Sequence, residues 1–316
     1  MSDEPAPASE SEAEAGAIAD TIGIWAPRGN ELRIVVGTAM VLALFPFVFA
    51  RMPVVSDLLQ GYQSLATLIL IWGIFALGFD LLLGYTGLLS FGHAAFWGGA
   101  AYAAGVFSQH VSGSPILMVA AGTAFAVLLA WVLGFLSLRR GGIYFAILTL
   151  AFAQMMFYMS SSPLAFITGG ENGFTGVETA ELLGTFALEA ELPSAAGLLL
   201  GTWLYLFVGV ITLICVTLAY RILNSPYGMV FRAIRENEQR AEFVGLNVWR
   251  YRLMSFILSG LFAGIAGSLF TIHGTYVPLS SLYWTESGEV VIMTVLGGTG
   301  SLFGPMIGAG VYLYVE

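Results

Sequence analysis

The chain has 316 residues, 58% of them hydrophobic and only 10% charged, with a mean hydropathy of +0.85 and a formal net charge of −9. A soluble domain needs far more polar surface, so the composition points to an all-α, polytopic membrane protein. Every basic residue is arginine, which excludes a Walker A phosphate loop, whose lysine must reach the β and γ phosphates, and excludes lysine Schiff-base chemistry with it.

Residues 1–30 read as a disordered acidic tail. The first stretch, MSDEPAPASESEAEAGAIAD, is rich in Ala, Ser, Pro and acids, and it holds too little apolar bulk to fold alone. It lacks the basic start of a secretory signal peptide. An acidic, lysine-free chain suits a salt-rich cytoplasm, and a GC-rich genome produces the same bias. Residues 31–316 read as one transmembrane domain of about eight helices, with apolar runs near 34–50, 62–83, 86–108, 116–138, 143–159, 203–223, 253–272 and 289–315. The third run opens Gly84-Tyr85-Thr86-Gly87 and contains Gly92, Gly98 and Gly99. It reads as broken or re-entrant, which a bilayer tolerates only against protein or a water-filled cavity. Gly297-Gly298 is placed to break the last run. That run ends at Glu316 with no basic tail after it, so the chain either stops at the membrane face or belongs to something longer. The single cysteine, Cys215, lies in an apolar run and reads as a buried small hydrophobe.

Arginine placement orients the spans. With a cytoplasmic N-terminus, Arg28, Arg33, Arg139, Arg140 and the six arginines of the 221–252 loop fall inside, and only Arg51 falls outside. The external segment is then 160–202, with Glu171, Glu178, Glu181, Glu189 and Glu191 and no basic residue. The predicted location is the cell membrane, multi-pass, with the N-terminus in the cytoplasm.

Two segments carry the functional signal. In the 221–252 loop, Ser225-Pro226 reads as an N-cap followed by proline at the first helical position. Val230, Ile234, Ala241 and Val244 recur at helical spacing, interrupted by Asn237, and Gly245 stops the helix. An interfacial helix on the membrane is one reading. The interleaved Glu236, Glu238 and Glu242 would be repelled by anionic headgroups, so mixed charge beside a small apolar seam fits a protein partner's groove better. In the second segment, a helix broken at glycines turns backbone groups toward a translocation path. Its candidates are Gly84, Tyr85, Gly87, Ser90, Gly92 and His93, with Gly297 and Gly298 in the last run. The other reading is close helix packing, preferred for His93, which a neighbouring helix would satisfy. Asp80, one turn before Gly84, is expected near the cytoplasmic interface, where it need not be buried. Thr168–Gly176 with its following glutamates is either a docking surface or a plain solvated loop. Gly260, Gly264, Gly267, Gly304 and Gly308 fit small-xxx-small packing. His110 and His273 fall near the external face, and no metal-ligand or nucleophile–base constellation is evident.

Ser225-Pro226-Tyr227-Gly228, RAIRENE at 232–238, Ala241-Glu242 and GLNV at 245–248 together resemble the coupling segment of ATP-binding-cassette (ABC) importer permeases. More closely, they resemble the LivM-type permease of branched-chain amino acid transporters. The likeness extends through GYTGLLSFGHAAFWGGAAY at 84–102, GGIYFAILTLAFAQ at 141–154, TGGENGFTG at 168–176 and EVVIMTVLGGTGSLFGPMIG at 289–308, in the family's order over most of 60–316. The resemblance implies an ABC importer permease fold and a non-enzymatic subunit. The implied partners are a second related permease, two cytoplasmic ATPase subunits, an extracytoplasmic binding protein and the lipid bilayer, without nucleic acid. ATP and magnesium would be bound by the ATPase, and no cofactor or metal is expected in this chain. A helix over about 226–244 would sit in a groove of the ATPase, with Arg232, Ala233, Arg235, Glu236, Asn237, Ala241 and Gly245 carrying the coupling. The family continues past the counterpart of Glu316 into another basic segment and often a final span. The expected cargo is a branched-chain or related amino acid. Urea or another short amide is the alternative within the family. An ion-coupled secondary transporter would need midplane ionisable sites and two similar halves, neither of which is evident.

Overall fold

The computed structural model describes residues 29–47, 63–139, 142–182, 186–188, 190–193 and 200–315. The tail before Gly29 lies outside them, as do Arg28, Arg51, Arg140 and Glu189 of the orientation argument. The helices are α1 (Gly29–Pro46), α2 (Gln63–Thr86), α3 (His93–His110), α4 (Pro115–Ser137), α5 (Ile143–Ser161), α6 (Trp203–Leu223), α7 (Pro226–Glu236), α8 (Glu238–Phe243), α9 (Val248–Gly274), α10 (Trp284–Gly297) and α11 (Gly304–Val315). Among the described residues only isolated bridges, such as Phe174 with Val277, represent β structure.

Five of these helices, α2, α4, α5, α6 and α9, are long and apolar enough to cross a bilayer. The last apolar run is not one span. Its 14-residue α10 and 12-residue α11 are separated by a turn at 298–303, and at 1.5 Å per residue each reaches only about 20 Å, short of a ~30 Å hydrocarbon core. Gly298 at φ +97 and Gly300 at φ +79 turn the chain, and α10 packs back on α11 where a Cβ at Gly297 would overlap the carbonyl of Gly304. The third run is broken as expected. Gly87, at φ +76, ends α2, and 88–92 runs back along it, so that the His93 ring at the start of α3 lies edge-on to Phe79, centroids 4.8 Å apart. The backbone N–H of Ala94 donates to Ser287 Oγ of α10 at 2.8 Å. Thus α3 begins inside the bundle, and α10 meets it one turn after its own exposed start at Trp284.

The core is built around α2, α3 and α9, with α4 packed against α9 by one face. Small residues let α9 approach closely: a Cβ at Gly260 would meet Ala130, one at Gly264 would meet Ala126, and one at Gly267 would overlap the Trp97 carbonyl. Aromatic rings fill what remains, with Trp97 between Trp72, Phe75 and Phe270. Cys215 is buried on α6, as expected.

Two ends are chemically distinct. One gathers α7, α8, the turn after Thr86 and the 298–303 turn, with Arg139, Arg221, Arg232, Arg235, Arg240, Arg250 and Arg252; we call it the basic end. At the other, the acidic end, Gln63 donates to the Leu200 carbonyl and Ser64 hydrogen-bonds His273. There Gln109 donates to the Thr175 and Gly176 carbonyls, and exposed Glu171, Glu178, Glu181 and Glu191 face outward. The TGGENGFTG segment at this end is not a plain solvated loop: Phe174 is buried and pairs its backbone with Val277 at 2.8 and 3.0 Å.

Candidate functional site

At the basic end α6 turns directly into α7. The tight corner needs Gly228, where a Cβ would overlap the Leu223 and Ile222 carbonyls. Pro226 occupies the first turn as expected, but Ser225 is not a side-chain cap; its hydroxyl donates back to the Ile222 carbonyl at 2.6 Å. Phe231, fully buried, anchors α7 in the main core.

The expected single helix over 226–244 is two helices. Asn237 adopts extended backbone, φ −161, and ends α7. Its Oδ1 then accepts from the Arg240 N–H at 3.0 Å and caps α8. Gly245, at φ +89, stops α8 in a Schellman motif: its N–H donates to the Glu242 carbonyl and the Leu246 N–H to that of Ala241. Arg252 of α9 grips Glu238 with two hydrogen bonds of 2.5 and 2.7 Å, the fork geometry that gives such pairs direction.

The apolar seam faces inward. Val230, Ile234 and Ala241 pack with Leu246, Val248 and Tyr251 of the same chain, so this face is already occupied and is not the one offered to a partner. Val244, counted with the seam on periodicity, lies outside it because α8 has ended. Phe243 and Val244 instead form an apolar tip, 89% and 81% exposed. Sequence reasoning missed this tip, since one continuous helix would have carried Val244 round to the buried side.

The tip is one pole of the site, and the other joins the two groups singled out in the sequence. Arg235 donates from Nη1 to the Gly84 carbonyl. The Arg232 guanidinium lies over the Tyr85 ring, 5.4 Å from its centroid, within cation–π range. Gly300 donates its N–H to Asp80 at 2.9 and 3.1 Å. Gly84, Tyr85, Arg232, Arg235, Glu236 and Gly300 line an open cavity of about 400 Å³. Gly84, Tyr85 and Gly87 thus belong to a joint between α7 and the membrane helices. Asp80 is buried, contrary to expectation, because the 298–303 turn closes over it. Ala233 and Glu236 are exposed beside the joint.

The remaining candidates lie elsewhere. Ser90 accepts from the Gly92 N–H, and a Cβ at Gly92 would crowd Thr149 of α5. His93 Nε2 is hydrogen-bonded to Ser259 Oγ of α9 at 2.7 Å, inside a cage of Phe79, Phe96 and Phe256, the packed arrangement preferred for it. Gly297 and Gly298 form the α10 end of the hairpin. Among the described residues no group of three His, Cys, Asp or Glu side chains is arranged to hold a metal ion.

Comparison with known proteins agrees with this architecture. Residues 61–316 match the family described as "Branched-chain amino acid transport system / permease component". The high-affinity branched-chain amino acid transport system permease protein LivM of Escherichia coli (strain K12) is 30% identical over 288 residues, 85% of this chain and 64% of that protein. Its Salmonella typhimurium counterpart is 30% identical over 79% of this chain and 61% of that protein. The probable LivM of Methanocaldococcus jannaschii is 25% identical over 69% of this chain and 62% of that protein. The chain therefore spans less than two thirds of the length of the curated relatives it matches. No solved structure matches it. With most of its length matched to one family and five described helices long and apolar enough to cross a bilayer, this chain is a multi-pass membrane protein belonging to the branched-chain amino acid transport system permease family.

Proposed function

We propose that the chain is a permease subunit of an ABC importer, passing branched-chain amino acids delivered by an extracytoplasmic binding protein across the cell membrane beside a second, related permease. The basic end faces the cytoplasm, as the positive-inside rule requires, and the acidic end faces the binding protein. Two cytoplasmic ATPase subunits bind ATP and magnesium. The absence of lysine supports this division, because these 316 residues can hold no P-loop.

The observation that carries the reading is the apolar tip. Phe243 and Val244 are exposed on a segment braced by Arg252–Glu238 and stopped by Gly245. A large apolar pair held rigidly in solvent is the kind of anchor that fills a partner's pocket. The ATPase docks on this tip, α7 carries its movement to the joint at Gly84 and Tyr85, and the pathway opens in response.

Phe243→Glu tests this. The variant should insert and purify like wild type, yet lose at least about tenfold of its affinity for a copurifying P-loop ATPase, as expected for an interface anchor, and lose uptake of labelled leucine, isoleucine and valine. The ATPase should bind inside-out vesicles and not right-side-out ones. Undiminished uptake by the variant, or binding to the opposite membrane face, refutes the assignment.

A further inference from the structure

Asp80 is 1% exposed on a membrane helix, where a carboxylate is costly unless its charge and oxygens are matched. Its oxygens take the Gly300 N–H. Two missing side chains make the arrangement possible. A Cβ at Gly84 would overlap both Asp80 Oδ1 and the Gly300 nitrogen. Gly300 sits at φ +79, where a side chain is strained, and a Cβ there would lie 3.2 Å from Arg235 Nη1. Arg235 closes the ring by donating to the Gly84 carbonyl.

Three segments distant in sequence thus meet around one carboxylate: the end of α2, the end of α7 and the 298–303 turn. That turn also fixes α10 to α11, whose backbones touch at Gly297, Gly304 and Gly308. A rigid body gripped this way follows α7, whereas a turn held only by apolar contact could slide past it.

We propose that Asp80 is a positioning residue that makes the α10–α11 hairpin move with α7, so that displacement of the cytoplasmic segment reaches α10, whose Ser287 holds the start of α3. The proposal rests on the importer reading above. Nothing in it requires Asp80 to touch cargo.

The assembled transporter in proteoliposomes, supplied with labelled leucine, gives the test through uptake and ATP hydrolysis measured together. With Asp80→Ala, hydrolysis should stay within about twofold of wild type while leucine moved per ATP falls about tenfold, inside the range of ordinary couplings between sites. Asp80→Asn keeps an oxygen that accepts from Gly300 and should restore about a third of the wild-type ratio, the hydrogen bond surviving without the charge. A ratio unchanged in Asp80→Ala, or uptake and hydrolysis falling in proportion, overturns the proposal. Amide exchange at 298–303 reads the link without cargo: ATP should alter it in wild type and not in Asp80→Ala, and an equal change in both would refute the link. Wild-type assemblies that hydrolyse ATP but move no leucine, isoleucine or valine would instead refute the importer reading, with the exchange comparison still deciding the role of Asp80.

Discussion

Helices α2 and α4 are both long, apolar and suited to crossing a bilayer, yet they live in different solvents. In the most apolar stretch of α2, 89% of residues are buried in protein, against 28% in α4. Hydropathy measures transfer out of water, and lipid and protein interior are both apolar, so it does not separate them. Side-chain size does. On α4, Met118, Gly122, Ala126, Ala130 and Gly134 are buried at intervals of four and form one face, against α9, while Leu117, Leu128, Trp131 and Leu136 stand outside. On α2, glycines and aromatics alternate around the whole circumference: Gly73 meets Met306 of α11, Gly78 meets Phe262 of α9, and Phe75 stacks on Trp97 of α3. One small-residue stripe marks a peripheral helix, and several mark a central one.

Substitutions of different kinds should separate the two helices by effect. The largest is expected from Gly78→Leu, whose Cβ alone would overlap Phe262; overpacking of this kind costs about 3 kcal/mol and should lower thermal stability in detergent steeply. A wild-type melting curve would mean that α2 is not the core. Next, His93→Ala should empty the cage between α2 and α9 and cost roughly 3 kcal/mol. His93→Phe, which fills the cage and gives up the Ser259 hydrogen bond, should cost about 1 kcal/mol. If Phe proved as damaging as Ala, the imidazole would have a role beyond packing. The smallest effect belongs to α4: Leu128→Ala on the open face should change stability by less than about 0.5 kcal/mol, and a larger loss would place a protein neighbour there instead of lipid.

Much of this architecture is legible in the amino-acid order. The apolar runs locate the helices, Gly87 and Gly298 mark breaks that the backbone makes at positive φ, and the clustering of arginine separates the two ends. Periodicity failed where the helix it assumed did not persist. Asn237 interrupts a pattern that continues in register across it, and only the cap formed with Arg240 reveals two helices instead of one. The burial of Asp80 was out of reach for a different reason. It depends on Gly300, 220 residues away, and no local pattern records a contact of that length. The joint was therefore visible as two separate motifs and became one site only in three dimensions.

The break at Asn237 also divides mutational constraint. Up to Glu236 the segment is held by its own membrane bundle through Phe231, Arg232 and Arg235. Beyond it, Glu238 and Ala241 secure α8, and Gln239, Arg240, Glu242, Phe243 and Val244 are exposed. The outward positions can change without disturbing the inward grip, because their exposed side chains take no part in it. The segment is thus modular, an outward-facing adaptor on an inward-held hinge, and altering its exposed face would require rewriting only a handful of codons.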